Sequence, residues 1–500
     1  MNVGSAILYK DGELVISKNH TYTLLNILKR KIIKDYGEFE DTDVPWKNES
    51  SKIKKVRILD QVKANCMKAW FKDCLNLTTL IDFQNLDVSD CIDFSCMFYN
   101  CYSLQNLNEL LNWNVSNGAD FSYMFYNCKS LQDLNGLQNW SISNGTNFNS
   151  MFAFCDALQN LNGLQNWNIS NGKIFLGMFY SCKSLQAINE LQNWNVSNGY
   201  NFARMFAGCK SIQCLNGLQN WNVSNCDDFS YMFYDCQLLQ NLNELQTWNV
   251  SKCKDFLYML AYCESLQEIN SLENWNISNG IDFSYMFYNC NSLQDLNELQ
   301  NLNVSNGTNF SNMFAFCESL QNIDALQNWN VSSGTNFSYM FSDCKSLENI
   351  DELQPWNVSN GTDFSYMFYN CMSLQNLNGL QNWNVSNGTD FLYMFSDCKS
   401  LENIDELQTW NVSNGTDFSY MFFNCKSLQD LNVLQNWKVS NGKSFKDMFY
   451  NCNSLQNILL PNTLDILKKD IFYECNPTLK IHWKNHIYTY EDLLQYEEIY

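Results

Sequence analysis

Apolar residues recur along this chain at fixed places in a 27-residue period, with polar residues between them. Residues 363–389 read DFSYMFYNCMSLQNLNGLQNWNVSNGT and serve as the reference unit, with Asp363 as position 1. Its apolar positions begin with Phe364, Met367, Phe368 and Cys371, at 2, 5, 6 and 9. This i, i+3, i+4, i+7 spacing predicts one face of a short helix of about two turns. Asp363, or Asn309 in its own unit, opens the segment, where a short polar side chain can cap the first turn. Leu374, Leu377, Leu380, Trp383 and Val385 follow, and the stretch Leu374 to Leu380 is expected to be the most extended. Asn387-Gly388 then turns the chain toward the next unit.

The marker cysteine runs from Cys74 to Cys452 in steps of 27, without an insertion or deletion. A fixed period of this size is the signature of a solenoid. The predicted fold class is an α/β repeat. It is a leucine-rich-repeat-like solenoid of about fifteen 27-residue rungs, each a short helix plus a short parallel strand, with N- and C-terminal caps. Stacking also places Gln375, Asn378, Gln381 and Asn384 in register with their copies, and side-chain amides so placed can bond along the axis.

The expected domains are an N-terminal cap over 1–65, the solenoid over 66–475 and a C-terminal cap over 476–500. In the first cap, Ala6 to Ser17 predicts a hairpin about Asp11-Gly12. Thr21 to Tyr36 predicts a basic amphipathic helix, and Val56 to Leu59 a strand leading into the array. In the second cap, His482-Trp483 and Ile487-Tyr488 look extended, and Thr489 starts a short acidic helix.

Composition changes this picture in two respects. Net charge is −21, and residues 1–65 hold 12 basic and 9 acidic side chains, so the rest of the chain is the acidic part. An acidic body repels nucleic acid and anionic membrane, so neither is an expected partner. The N-terminus lacks an uninterrupted apolar core and a small-residue cleavage site, so no signal peptide is expected. No run of 18 apolar residues occurs, and no membrane span is expected.

Candidate chemistry is sparse. The cysteines occur without a CxxC pair, and His20, His482 and His486 lie outside the array, which speaks against zinc. Position 9 reads as core, because buried cysteine packs as a small hydrophobe. Cys91, Cys226 and Cys253 replace the turn glycine, so the turn does not strictly demand glycine. Cys226 and Cys253 are expected to be among the more accessible thiols, one rung apart and a candidate disulfide pair of mediocre geometry. The tryptophan of position 21 could form a sugar platform, but Leu86 and Leu302 at the same position favour core. No catalytic, cofactor-binding or metal-binding residue stands out, so no enzyme and no cofactor is expected.

Positions 4 and 7 lie beside the buried face. They carry Tyr123, Tyr231, Tyr258, Tyr285, Tyr339, Tyr366, Tyr393 and Tyr420, and Tyr126, Tyr234, Tyr288 and Tyr369, with Tyr99, Tyr180 and Tyr450 also at position 7. These form a candidate interaction stripe, since an aromatic ring buries area while its hydroxyl bonds. The competing reading is that the rings pack on one another. Residues 336–362 and 390–416 differ at only three positions, which indicates duplication of a two-repeat unit.

The units FxxMFxxCxSLxxL and WNVSNGTDFSYMF resemble the BspA-like leucine-rich repeat surface proteins, as do Trp70 to Cys101 and the shorter unit Ser454 to Cys475. The chain departs from that family in lacking a secretion signal and in reading NVSNG where NVSNVT is common. The resemblance implies a surface protein active in adhesion and host contact, whereas the sequence itself implies a cytoplasmic chain. The expected function is an extended acidic surface, adhesin- or scaffold-like, that binds a protein or glycan as a monomer. The alternatives are a structural spacer rod and an intracellular acidic effector or DNA mimic.

Overall fold

In a computed structural model, residues 4–18, 27–33, 45–429, 431–496 and 498–499 are described. They fall into two compact units, Met1–Lys252 and Cys253–Tyr500.

The first unit opens with strands β1 (Gly4–Tyr9) and β2 (Glu13–Ser17), an antiparallel hairpin in which Ser5 faces Ser17. Of the basic helix expected over Thr21 to Tyr36, residues 27–33 form instead strand β3 (Ile27–Ile33), antiparallel to β1, and the remainder lies outside the described residues. β-branched Ile27, Ile32 and Ile33 favour extension, and the open edge of β1 supplies backbone partners that an isolated helix would not use. Strands β4 (Lys55–Ile58), β5 (Val62–Lys63), β6 (Thr79–Ile81) and β7 (Leu86–Asp87) follow. β4 joins β2 and β6 in parallel, in the sheet order β3-β1-β2-β4-β6, and β5 pairs with β7. Arg57 bridges Glu13 and Asp82 across this sheet.

The rungs then lose helix and strand alike. Among the described residues the one α-helix is α1 (Tyr490–Leu493), closed by a capping box between Thr489 and Asp492. The expected rung helix is a chain of overlapping turns. In the second unit Met367, Tyr369 and Cys371 donate to the carbonyl three residues back. The alternate amides, of Phe364, Tyr366, Phe368 and Asn370, donate to Asp390, Leu392, Met394 and Ser396 in the next rung. Tyr366 and Asn370 hold φ of 57° and 58°, the left-handed third residues of their turns. A non-glycine residue there costs about 1–2 kcal/mol. Four rung-to-rung bonds at about 0.5–1.5 kcal/mol each offset two such residues.

The nine apolar positions of the reference unit are at most 2% exposed, so the sequence pattern identifies the core although not its backbone. The extended stretch expected over Leu374 to Leu380 contains a 3₁₀ turn at Asn378–Leu380. Asp363 Oδ1 accepts from the Ser365 amide at 3.0 Å, an Asx turn at the place where a cap was expected. The expected amide ladder is displaced. Asn384 turns its carbonyl onto the Ser386 amide, while rung-to-rung amide bonds lie at position 25, Asn387 to Ser359 O at 2.7 Å, and at position 8, Asn451 to Asn424 at 2.8 Å. Gly388 has no left-handed φ. It serves space, since a Cβ there would lie 2.6 Å from Phe391 Cζ.

The second unit ends in β8 (Asn457–Leu459), β9 (Leu467–Lys468), β10 (Lys480–Trp483), β11 (His486–Thr489) and β12 (Glu498–Ile499). β8 and β11 flank β10, and β12 pairs with β9.

From Gly163 onward, position 17 alternates every rung between an acid and a residue without charge, after Gly136 and Gly163 follow one another. In the first unit Gly163, Glu190, Gly217 and Glu244 succeed one another; in the second, Ser271, Glu298, Ala325, Glu352, Gly379, Glu406 and Val433 do. The small members touch the rung behind: a Cβ on Gly379 would lie 1.8 Å from Ile350 O. Glu352 and Glu406 each keep one buried carboxylate oxygen without a donor. Burial, with the Asp324 carboxyl nearby, raises the Glu352 pKa.

Deletion of 363–416 should be milder than deletion of 363–389. The longer cut recreates an almost native junction, because 336–362 and 390–416 are near-copies. The shorter cut sets Glu352 against Glu406, and its melting temperature should fall by several degrees more in a thermal unfolding scan.

A raised folded-state pKa means stability that is present at low pH and lost as pH rises through that value. For Glu352, acidification toward its ordinary 4.5 should raise the melting temperature, and Glu352→Gln should flatten the slope of melting temperature against pH.

Candidate interaction surface: the tyrosine ladder

The rung geometry decides which side chains reach solvent. Positions 2, 5, 6 and 9 turn into the core, and the left-handed residue at position 4 stands between them. All twelve stripe tyrosines are half-buried. Eight of them meet in i, i+3 pairs: in the first unit Tyr123 with Tyr126 at 5.6 Å and Tyr231 with Tyr234 at 5.5 Å; in the second, Tyr285 with Tyr288 at 5.3 Å and Tyr366 with Tyr369 at 5.6 Å.

Rung-to-rung stacking is most continuous in the second unit. Tyr339, Tyr366, Tyr393 and Tyr420 stack at successive centroid spacings of 4.2, 4.7 and 4.3 Å. Tyr258 stacks on Tyr285 at 4.1 Å, and Asn312 interrupts the run before Tyr339. The core phenylalanines of the same rungs stand further apart, Phe364 and Phe391 at 5.8 Å, so the rings crowd together on the tyrosine side. In the first unit Tyr99 stacks on Tyr126 at 4.6 Å, while Ser150, Gly177 and Arg204 occupy position 4 of three rungs. The two readings of the stripe therefore both describe something real. The rings pack face to face, and a part of each remains exposed.

Cations close the stacks. Lys446 Nζ lies 5.7 Å from the Tyr420 ring, and Arg204 lies 4.9 Å from Tyr231. Burial, together with neighbouring tyrosines, pushes the Tyr393 and Tyr288 hydroxyls up to about 12, so both stay neutral donors near pH 7. Burial also raises Asp390, which lies at position 1 of the Tyr393 rung.

The other two ladders lie inside. The position-21 tryptophans are between 2% and 5% exposed, and Trp383 Nε1 donates to Leu353 O at 2.9 Å. They offer no face to a sugar. The position-9 thiols do more than fill space. Cys371 Sγ donates to Phe341 O at 3.1 Å and Cys236 Sγ to Phe206 O at 3.3 Å, in each case the position-6 carbonyl of the rung before. The Phe341 carbonyl also accepts from the Cys344 amide, so the thiol uses its second lone pair. The spacing of 30 residues between donor and acceptor was present in the sequence, but nothing there marks a carbonyl as an acceptor. Burial pushes Cys182 and Cys317 up to about 12. Cys226 and Cys253 correct an expectation: neither is accessible, each is 0% exposed, and their thiols donate to Asp228 O and Asp255 O, both at 3.3 Å. The turn folds inward at this position, so a side chain that replaces the glycine is carried into the core.

Stacked 27-residue rungs with apolar ladders define a parallel solenoid of the leucine-rich-repeat type. The chain belongs to the family described as "Mycoplasma protein of unknown function, DUF285", whose model matches overlapping stretches from 46–161 to 348–462. Residues 446–494 match the "BspA type Leucine rich repeat region (6 copies)". Comparison with curated proteins gave no match. Among solved structures, the chain is similar to a leucine-rich repeat protein from Bacteroides ovatus, with 14% identity, 96% of this chain and 98% of that chain covered, and a TM-score of 0.36. It is also similar to a leucine rich cell surface protein from Faecalibacterium prausnitzii, with 16% identity, 80% and 92% covered, and a TM-score of 0.34. A third, a leucine-rich repeat protein from Eubacterium ventriosum, has 14% identity, 97% and 96% covered, and a TM-score of 0.29. Among the described residues no helix is long and apolar enough to cross a membrane.

Thiol labelling of the native chain should modify the half-exposed Cys66, Cys96 and Cys214 first. The position-9 ladder, Cys226 and Cys253 should react only after denaturant is added; mass spectrometry of the labelled peptides reads the order.

Proposed function

We propose that this chain is a non-catalytic repeat protein that binds a protein partner through its tyrosine-lined face. The observation that carries this reading is the stack Tyr339–Tyr366–Tyr393–Tyr420, whose rings are half-exposed and ordered by one another. Ordered aromatic rings lose little entropy on binding, which is why tyrosine is favoured at interfaces. The acidic body and the cations seated on Tyr420 and Tyr231 favour a partner that presents lysine or arginine. Repetition favours a partner that is itself repeated, so that weak contacts add by avidity. A glycan remains the alternative ligand of the same face, and an adhesin- or scaffold-like role at a cell surface is the setting that the BspA-type repeat suggests. A spacer rod is the second reading, favoured by the uniformity of the rungs.

The test is the triple variant Tyr366→Ser, Tyr393→Ser, Tyr420→Ser. Serine already occupies position 4 at Ser150 with φ 52°, so the backbone accepts it. Binding to protein and glycan arrays should be lost at an unchanged melting temperature. A large fall in melting temperature, with binding kept below it, would show that the rings serve the fold and would overturn the proposal.

A further inference from the structure

Position 4 is tyrosine in every rung from Tyr231 to Tyr420 except one, where Asn312 stands. Asn312 has φ 57°, against 59° at Tyr285 and 58° at Tyr339, so its short side chain enters the same column as their rings. Tyr285 stacks on Tyr258 at 4.1 Å and Tyr339 on Tyr366 at 4.2 Å, each on the side away from Asn312. The second face of each ring is therefore turned toward the Asn312 rung. Two rungs at the parallel spacing of about 4.7–4.9 Å set these faces about 9–10 Å apart. Asparagine is too short to fill that distance as a ring does, and it leaves a slot.

The floor of the slot is polar and unsatisfied. Asn312 is 8% exposed, and its carboxamide makes no hydrogen bond among the described residues. Unlike the sealed carboxylate oxygens of Glu352 and Glu406, that carboxamide keeps contact with water.

The surroundings fix the sign of charge that suits the slot. Residues 282–362, the Asn312 rung and its two neighbours, hold nine acidic side chains and one basic. The basic one, Lys345, already pairs with Glu318 at 2.7 Å. Elsewhere the chain covers an open tyrosine face with a cation of its own. Arg204, itself at position 4, lies 4.9 Å from the Tyr231 ring of the next rung, and Lys446 covers Tyr420. Among the described residues no such cation lies over Tyr285 or Tyr339.

We propose that this slot takes the guanidinium of an arginine presented by the partner. Midway between the rings it would lie about 5 Å from each, within the roughly 6 Å reach of a cation–π contact. That is the distance at which Arg204 already meets Tyr231. Its N–H groups would donate to the Asn312 carboxamide oxygen, which lacks a partner. A guanidinium is flat and stacks on both rings at once, whereas a lysine ammonium is a compact, strongly hydrated point charge. A neutral planar group would gain nothing from the acidic surroundings. This inference rests on the partner-binding reading above and names the group that enters one particular rung.

Saturation-transfer NMR titration of the full chain with N-acetyl-arginine N-methylamide tests it. The equally blocked lysine and citrulline (arginine's shape without its charge) are the controls. Saturable binding of the blocked arginine is expected, with both controls weaker by about fivefold or more. Asn312→Tyr should abolish it with the melting temperature unchanged or higher, since tyrosine already takes this backbone at Tyr285 and Tyr339. Tyr339→Ser, which removes one wall, should weaken it by about fivefold. No binding to the native chain would overturn the proposal, as would binding that survives Asn312→Tyr. Citrulline binding as tightly as arginine would overturn it too, because the slot would then accept any planar group. Tyr366, Tyr393 and Tyr420 stay intact throughout, so failure here is distinguishable from failure of the triple serine variant.

Discussion

The structure depends on a backbone hydrogen bond made at every second residue from one rung to the next. Across Phe364 to Asn370 each rung gives four such amides to its neighbour and spends those between on its own turns. Nothing else in the rung is regular secondary structure for long. The left-handed residues at Tyr366 and Asn370 are tolerable only because the neighbouring rung holds the amides beside them. An insertion within Phe364 to Asn370 would break this ladder at that rung, whereas a change of length elsewhere is tolerated: across the shorter step to Cys475, Phe449 and Asn451 still donate to Ile471 and Tyr473. The aromatic, thiol and amide ladders are consequences of that register.

Much of the architecture was legible in the residues because burial follows the period whatever the backbone does. Phe364, Met367, Phe368 and Cys371 lie in the core as their spacing implied, and Trp383 is buried as its exchange with leucine elsewhere implied. The backbone was not legible for the same reason. A spacing of three and four residues suits a helix and equally suits two overlapping turns with a left-handed third residue. Tyrosine and asparagine at those third residues give no warning, since the usual marker of a left-handed position is glycine. The segment Ile27–Ile33 was misread because its partner, β1, lies outside any local window.

The candidate surface was legible in part. Counting positions placed the tyrosines beside the core, and their i, i+3 pairing follows from the turns as it would have from a helix. Their stacking into an ordered column depends on the spacing between rungs, which no single rung encodes. The acid-bearing and small residues at position 17 show the same limit. Their alternation is visible in the sequence once sought, but its meaning rests on the close approach of Gly379 to Ile350 O.

The thiol ladder has a consequence for the life of the chain before it is folded. Inside the rungs the position-9 sulfurs are sealed behind carbonyls, and neither oxidant nor metal reaches them. The nascent chain, by contrast, carries 22 cysteines, most of them at one repeating distance. Any of these could join many others, and every wrong disulfide would lock the rungs out of register. In an oxidising compartment folding would therefore race with oxidation, and each rung that closes over its neighbour would take its thiol out of that race.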